Sequence, residues 1–143
     1  MKVKEIMSNP VIRINPDESV AVAARTLAHY NIGILPVCSA DGRLQGLVTD
    51  RDLVTRCIAS GKSPQQTKVR EVMTGNVIAA PPDMEIGTAA SMMGKKQIRR
   101  LPVVENGKLC GMVSLGDVAA REETVYDAGD ALAEISNNVS GIG

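Results

Sequence analysis

GILPVCSADGRLQGLVTDRDL, residues 33–53, and RRLPVVENGKLCGMVSLGDV, residues 99–118, carry one pattern twice. In each, an apolar run containing Leu-Pro-Val passes through Asp41-Gly42 or Asn106-Gly107 into a second apolar run. That run ends on a hydroxyl followed three residues later by an acid, Thr49 with Asp52 and Ser114 with Asp117. Asp-Gly and Asn-Gly suit the positive φ angles of tight hairpin turns, so each stretch predicts a β-hairpin, residues 34–38 with 44–49 and 101–104 with 109–114. The hydroxyl-x-x-acid ending predicts a helix start, because the hydroxyl accepts from an orphan helix N–H and the acid reaches back to the cap.

The repetition extends outward from the hairpins. Residues 3–53 match residues 69–118 at an offset of 66, which becomes 65 where one residue drops out near Ala40, and eighteen positions are identical. Each copy opens on V-x-E-h-M, where h is apolar, and continues into a short β-rich run, residues 11–14 and 77–80. Pro16-Asp17 and Pro82-Asp83 then read as a turn and helix start. Val20, Ala23, Ala24 and Leu27 follow at i, i+3, i+4 and i+7, as do Ile86, Ala89, Ala90 and Met93, one apolar helical stripe per copy. Met92-Met93 is therefore read as core filling. The element order is strand, helix, hairpin, helix, twice. A unit of about fifty residues buries too little surface to be stable alone, so the two copies are expected to share a core.

The expected organisation is repeat 1 over residues 1–60, a polar linker over 61–68, repeat 2 over 69–121 and a tail over 122–143. In the linker, Ser63-Pro64 predicts an N-cap followed by a proline at the first helical position. In the tail, Ala128, Ala131, Leu132 and Ile135 predict a short helix with these residues inward, then a fraying Ser/Asn/Gly end.

Composition narrows the function. The 143 residues carry 16 basic and 16 acidic side chains, no Trp or Phe and two Tyr, so neither the basic surface nor the stacking platforms of nucleic-acid binding are visible. The apolar runs are short and the N-terminus lacks the apolar centre of a secretion signal, which predicts a soluble cytoplasmic protein without membrane contact. Cys38, Cys57 and Cys110 stand far apart and His29 is the only histidine, so no zinc or redox centre is expected. Cys38 and Cys110 read as small buried hydrophobes, and His29 as a surface or boundary residue. No placed nucleophile and base and no glycine-rich phosphate loop is found, so no enzymatic activity or catalytic residue is assigned.

The V-x-E-h-M openings, the GILPV and RRLPV strands, the GLVTDRD and GMVSLGD endings and the tandem copy number resemble a pair of cystathionine-β-synthase (CBS) domains over residues 1 to 121. The whole chain resembles small stand-alone bacterial CBS-pair proteins. The resemblance implies an α/β (α+β) fold of two β-α-β-β-α repeats related by a pseudo-twofold axis, with packed three-stranded sheets and outer helices, and a disc-shaped homodimer. It also implies up to two clefts between the repeats for adenosine-containing ligands such as AMP, ADP, ATP, NAD or S-adenosylmethionine. In that family the hydroxyl and acid contact phosphate and ribose, which here are Thr49 with Asp52 and Ser114 with Asp117.

The chemistry agrees with those residue types. An ionised carboxylate only accepts, which suits a ribose diol with two protons to donate. A helix start following a strand offers free N–H groups to a phosphate. Ile12, Ile32 and Ile34, and likewise Ile78 and Ile98, suit a slot for a purine. The cations differ between copies: Arg99 and Arg100 precede Leu101 where the first copy has Gly33 and Ile34, whereas Arg51 and Arg13 stand opposite Gly116 and Ala79. Two unequal clefts are expected. The same Thr-x-x-Asp and Ser-x-x-Asp spacing is equally that of a capping box needing no ligand, and the arginines are also readable as solvated surface charge. Two functions follow: a non-catalytic adenine-nucleotide sensor of energy or metabolite state, reporting through dimer conformation to an effector protein, or a ligand-free structural CBS dimer.

Overall fold

The computed structural model describes residues 1–121 and 124–139, without the side chains of residues 138 and 139. The chain divides into two compact units that cross the repeat boundaries: residues 12–77 with 107–109 form the first, and residues 1–11, 78–106 and 110–143 the second.

In the first unit, helix α1 (Val20–Tyr30) starts where Ser19 Oγ accepts from Val22 N–H and ends on Asn31 in the left-handed region at φ 52°. Val20, Ala23 and Leu27 of the expected stripe are buried, whereas Ala24, at the edge of that face, is exposed. Strands β1 (Ile34–Cys38) and β2 (Leu44–Thr49) pair antiparallel from Ile34 opposite Thr49 to Cys38 opposite Leu44. Gly42 at φ 89° turns the chain between them. A helical turn, α2 (Asp50–Asp52), then widens into a π-helix over Leu53–Ile58.

The expected first strand, residues 11–14, shrinks to one parallel bridge between Ile14 and Val37. Ile14 N–H donates to Pro36 O at 3.0 Å and Cys38 N–H to Ile14 O at 2.9 Å. The next step of a parallel ladder would need an N–H from Pro36, which has none, so pairing stops and Ile12 lies off the ladder. The three-stranded sheet is thus two strands and a single-residue third.

The V-x-E-h-M opening of the second copy completes this unit rather than the other. Val69–Glu71 is a 3₁₀ turn, closed by Glu71 Oε2 accepting from Lys68 N–H at 2.7 Å. Val69 N–H donates to Glu18 O at 2.9 Å, and Thr74 pairs with Leu47 through bonds of 2.9 and 3.0 Å on the free edge of β2. Val69 and Val72 are wholly buried with Val20, Leu35, Val37 and Val48. Ser63-Pro64 starts no helix: Thr67 N–H donates to Ser63 O at 2.9 Å, a single turn, and Val20 N–H donates to Thr67 O at 2.8 Å in an antiparallel pairing of Ser19 with Lys68. Thr67 is drawn into that antiparallel pairing before a second helical turn can form.

The second unit repeats the plan. Helix α3 (Ile86–Lys96) ends on Gln97 at φ 59°, and β3 (Arg100–Glu105) pairs with β4 (Lys108–Ser114). Ala80 bridges Val103 in parallel, with Ala80 N–H on Pro102 O at 2.9 Å and Val104 N–H on Ala80 O at 2.9 Å. Pro102 stops the ladder as Pro36 does, leaving Ile78 outside it. Here the chain's own first residues fill the outer edge: Val3 N–H donates to Met84 O at 2.9 Å, and Ser8 pairs with Met112.

After α4 (Leu115–Ala119), helix α5 (Val125–Val139) lies on α3 and α4 with Ala128, Ala131 and Ile135 buried and Leu132 half-buried. It is longer than the expected short helix and takes in Ser136 to Val139, because Ala131 packs on Gly94 of α3 and Ile135 is buried in the same core, which carries the helix past the predicted stop. The rest of the predicted frayed end, residues 140–143, lies outside the described residues. Met93 is fully buried, as core filling requires, but Met92 only flanks that core, half-buried; Cys38 and Cys57 are buried and Cys110 only half-buried on the outward face of β4.

Candidate functional site

Each unit presents a hydroxyl and an acid at the end of its hairpin, and the two are built alike. Thr49 Oγ1 accepts from Asp52 N–H at 3.1 Å while Asp52 Oδ2 accepts from Thr49 N–H at 3.0 Å. Ser114 Oγ accepts from Asp117 N–H at 3.0 Å, and Asp117 Oδ2 from Ser114 N–H at 2.9 Å. Both are complete capping boxes, so the cap reading of the spacing is realised in the fold. Each box uses one carboxylate oxygen and leaves the other, Oδ1, as a half-buried acceptor.

Backbone bonds bring the preceding loop beside each box. Asp50 N–H donates to Gly33 O at 3.1 Å, and Leu115 N–H donates to Arg99 O at 3.0 Å. In the first unit this gathers Ile32, Gly33 and Ile34 next to Thr49, which stands opposite Ile34 in the β1–β2 register. Ile12 precedes the Ile14 bridge by two residues, and since that bridge is parallel the chain before it runs back toward the start of β1. Ile12, Ile32 and Ile34 are all half-buried. In the second unit Ile78 stands in the same relation to the start of β3, and Ile98, Arg99 and Arg100 adjoin Ser114; the two isoleucines are half-buried and the two arginines exposed.

Half-burial of these isoleucines is what a slot with one open face requires, since full burial would make them core and full exposure would leave them unpaired with any apolar surface. Arg51, Arg99 and Arg100 are exposed, and the arginine ion pairs among the described residues engage Arg43, Arg56 and Arg70 instead. Arg13 is not part of the Thr49 group. Its guanidinium lies 3.4 Å from where a Cβ on Gly42 would stand and acts on the Cys38 thiol, at the turn end of the hairpin. Burial pushes that thiol above its ordinary range, and Arg13 offsets part of the rise.

Arg56 was not anticipated. Its Nε lies 3.7 Å from Asp52 Oδ1, and its Nη1 donates to the carbonyls of Val72 and Met73, both at 3.3 Å. The i, i+4 spacing of Asp52 and Arg56 is a readable ion-pair signal; the two carbonyls, sixteen and seventeen residues on, are not.

Other features lie away from these groups. An open groove of about 480 Å³ along α3 is lined by Gly87, Thr88, Ser91, Met92, Lys95 and Lys96, none of them an expected ligand contact. Among the described residues no three His, Cys, Asp or Glu side chains are grouped to hold a metal ion, and no helix is long and apolar enough to cross a membrane.

The sequence model of the CBS domain matches residues 3–58 and again 69–124. CBS domain-containing protein YhcV of Bacillus subtilis is 38% identical over 135 residues, covering 94% of this chain and 95% of that protein. Among solved structures, Hypoxic Response Protein I with two coordinated zinc ions superposes at a TM-score of 0.79 with 30% identity, covering 85% of this chain and 98% of the other. The CBS domain pair of protein MJ0100, in complex with 5-methylthioadenosine and S-adenosyl-L-methionine, superposes at 0.74 with 32% identity over 84% of this chain and 94% of the other.

Proposed function

The chain belongs to the CBS domain family, and on that premise we propose that it is a non-catalytic regulatory module that binds an adenosine-containing ligand at Thr49-x-x-Asp52 and Ser114-x-x-Asp117. The carrying observation is the duplicated capping box that leaves Oδ1 of Asp52 and Asp117 as acceptors beside half-buried isoleucines. In this reading each acid accepts from a ribose diol, the hydroxyl residue and the helix start face phosphate or its replacement, and the isoleucines enclose the purine. Pro36 and Pro102 have no N–H to give, so the carbonyls of Ile12 and Ile78 are spared for the purine's amino edge.

The cations Arg51, Arg99 and Arg100 would settle phosphate charge. Ile12, Ile32 and Ile34 serve with Thr49 and Asp52, and Ile78 and Ile98 with Ser114 and Asp117. Support for the ligand class comes from the MJ0100 domain pair, which was solved with two adenosine compounds. The module would act in the cytoplasm as a homodimer whose shape or stability changes with ligand and is read by an effector protein. For that, the ligand must bind one conformation better than another.

The test is a thermal-shift screen against AMP, ADP, ATP, NAD and S-adenosylmethionine. A ligand at a hundredfold excess over Kd adds about 2.7 kcal/mol, a rise of several degrees. Asp52→Ala and Asp117→Ala should each abolish one site at a modest loss of stability. Equal melting losses with unchanged nucleotide binding would show the acids to be caps alone. A second reading, a structural dimer with empty clefts, is favoured by Asp52 already facing Arg56; it wins if no adenosine compound raises the melting point at millimolar concentration.

A further inference from the structure

The two capping boxes differ in what stands behind the acid. Arg56 is half-exposed on the π-helix and reaches two ways, with Nε toward Asp52 Oδ1 at 3.7 Å and Nη1 onto Val72 O and Met73 O at 3.3 Å each. Those carbonyls belong to the 72–74 segment, which lies along the outer edge of β2 through the Thr74–Leu47 pair and packs the wholly buried Val72 beneath it. One guanidinium therefore pairs with the outer oxygen of the first acid while holding the stretch of chain that leads into the second repeat. In the second unit the equivalent residue at the offset of 65 is Arg121. It is exposed, and among the described residues it makes no such hold on the carbonyls of Ile6 and Met7, the counterparts of Val72 and Met73.

We propose that Arg56 is a positioning residue that couples ligand at Asp52 to the hold on residues 72–74, so that only the first site signals along the chain. This rests on the adenosine reading of Asp52. The arginine fork has five donors and no acceptor; Nη1 donates to two carbonyls, while Nε faces the acid as an ion pair at 3.7 Å, beyond hydrogen-bond distance. A ribose diol that donates to Asp52 Oδ1 competes for that oxygen. Displaced from the acid, the fork keeps only the carbonyls of Val72 and Met73 within reach, and it holds the segment more tightly. Coupling of this kind is reciprocal, so whatever tightens the segment also favours ligand at Asp52.

Hydrogen exchange at the Val72, Met73 and Thr74 amides reads the hold, and calorimetry on the same samples reads binding. The protein used is the full chain carrying Asp117→Ala, so that only the first site is read, with Arg56 intact, Arg56→Gln or Arg56→Lys; the ligand is whichever of AMP, ADP, ATP, NAD and S-adenosylmethionine binds the unaltered chain most tightly. With Arg56 intact, ligand should slow exchange at Thr74 by about fivefold or more, the lower end of ordinary coupling. In Arg56→Gln the ligand-dependent slowing should vanish, and affinity should hold or rise, because the group that competes for Asp52 Oδ1 is gone. Lysine keeps the charge but not the fork, and should restore the competition for Oδ1 in part without restoring the slowing.

The proposal is overturned if ligand slows the 72–74 amides equally in Arg56→Gln, if it leaves them unchanged with Arg56 intact, or if the Asp117→Ala chain binds nothing while the unaltered chain binds. If the unaltered chain binds none of the five compounds, the adenosine reading itself fails and the coupling falls with it. Melting of each variant in the absence of ligand guards against a folding defect: a loss of affinity accompanied by early melting in Arg56→Gln and full recovery in Arg56→Lys of both stability and slowing would mark the residue as structural and overturn the coupling.

Discussion

Thr49 and Ser114 hold their helix starts from one side, and Asp52 and Asp117 from the other. Each hydroxyl takes an N–H that has no partner inside the helix, so Thr49→Ala and Ser114→Ala should each cost about 1 kcal/mol, a fall in melting temperature of roughly 3 °C. If either substitution proved silent, water would be replacing the hydroxyl and the box would not be stabilising.

The charged residues of the V-x-E-h-M openings make a second set of pairs. Arg70 donates to Asp17 Oδ1 through Nε at 2.9 Å and holds that carboxyl below its ordinary range. Lys4 at 2.8 Å does the same for Asp83, as Lys2, one residue before the first opening, does at 2.7 Å for Glu85. A carboxylate whose folded pKa is depressed lends stability that is full above its unfolded value, about 4, and is lost as pH falls through the folded one. Asp17→Asn with Asp83→Asn should therefore flatten the acid limb of the melting-temperature profile between about pH 5 and pH 2. An acid limb identical to that of the unaltered protein would mean that solvent screens these exposed pairs to nothing. At this scale the caps were readable from spacing. The clamp by Arg56 was not, because a carbonyl has no sequence signature.

The hairpins and first helices followed from local chemistry: Asp41-Gly42, Asn106-Gly107 and the four-residue apolar stripes each act within a few positions. The shrinking of the third strand is the instructive departure. Leu-Pro-Val is readable as strand, and the β-rich run of residues 11–14 as another, but only the parallel register reveals that Pro36 must supply the next N–H and has none. Close approach at Gly46 and Gly111 was equally hidden. A Cβ on Gly46 would stand 2.6 Å from Thr74 O and 2.8 Å from Met73 Sδ, whereas the three atoms nearest to one on Gly111 all belong to the Met7 side chain. Backbone cannot retreat as a methionine can. Gly46→Ala should therefore cost about 2–3 kcal/mol and Gly111→Ala roughly 1 kcal/mol or less, measured by denaturant unfolding. Equal costs would show that the 72–74 segment gives way as readily as a side chain.

The V-x-E-h-M opening of each copy is the last piece of the unit made mostly by the other copy. Val3 and Ile6 belong to the core of the second unit, and Val69 and Val72 to that of the first. Repeat searching finds where a pattern recurs, and it cannot tell on which side of the pattern the chain folds back. A fragment of residues 12–77 should therefore be markedly more helical and protease-resistant than one of residues 1–60, which ends before Val69 and Val72; the opposite ranking would show that the buried valines add little. Thr49, Asp52 and the three isoleucines 12, 32 and 34 fall in one unit, and Ser114, Asp117, Ile78 and Ile98 in the other.

The borrowed openings also bear on how the molecule could be rewired. A chain opened between Val77 and Ile78, with residue 143 joined to Met1 by a sufficient tether, would spell the second unit from residue 78 through the join to residue 11 and the first from residue 12 to 77. Apart from the 107–109 tip, each unit would then be written as one uninterrupted passage. Such a circular permutant keeps every buried valine in its core while changing the order in which the pieces emerge from the ribosome. The native order instead makes the first eleven residues wait for their partners until the second half has been synthesised, and the opening most exposed during translation is the one finished last.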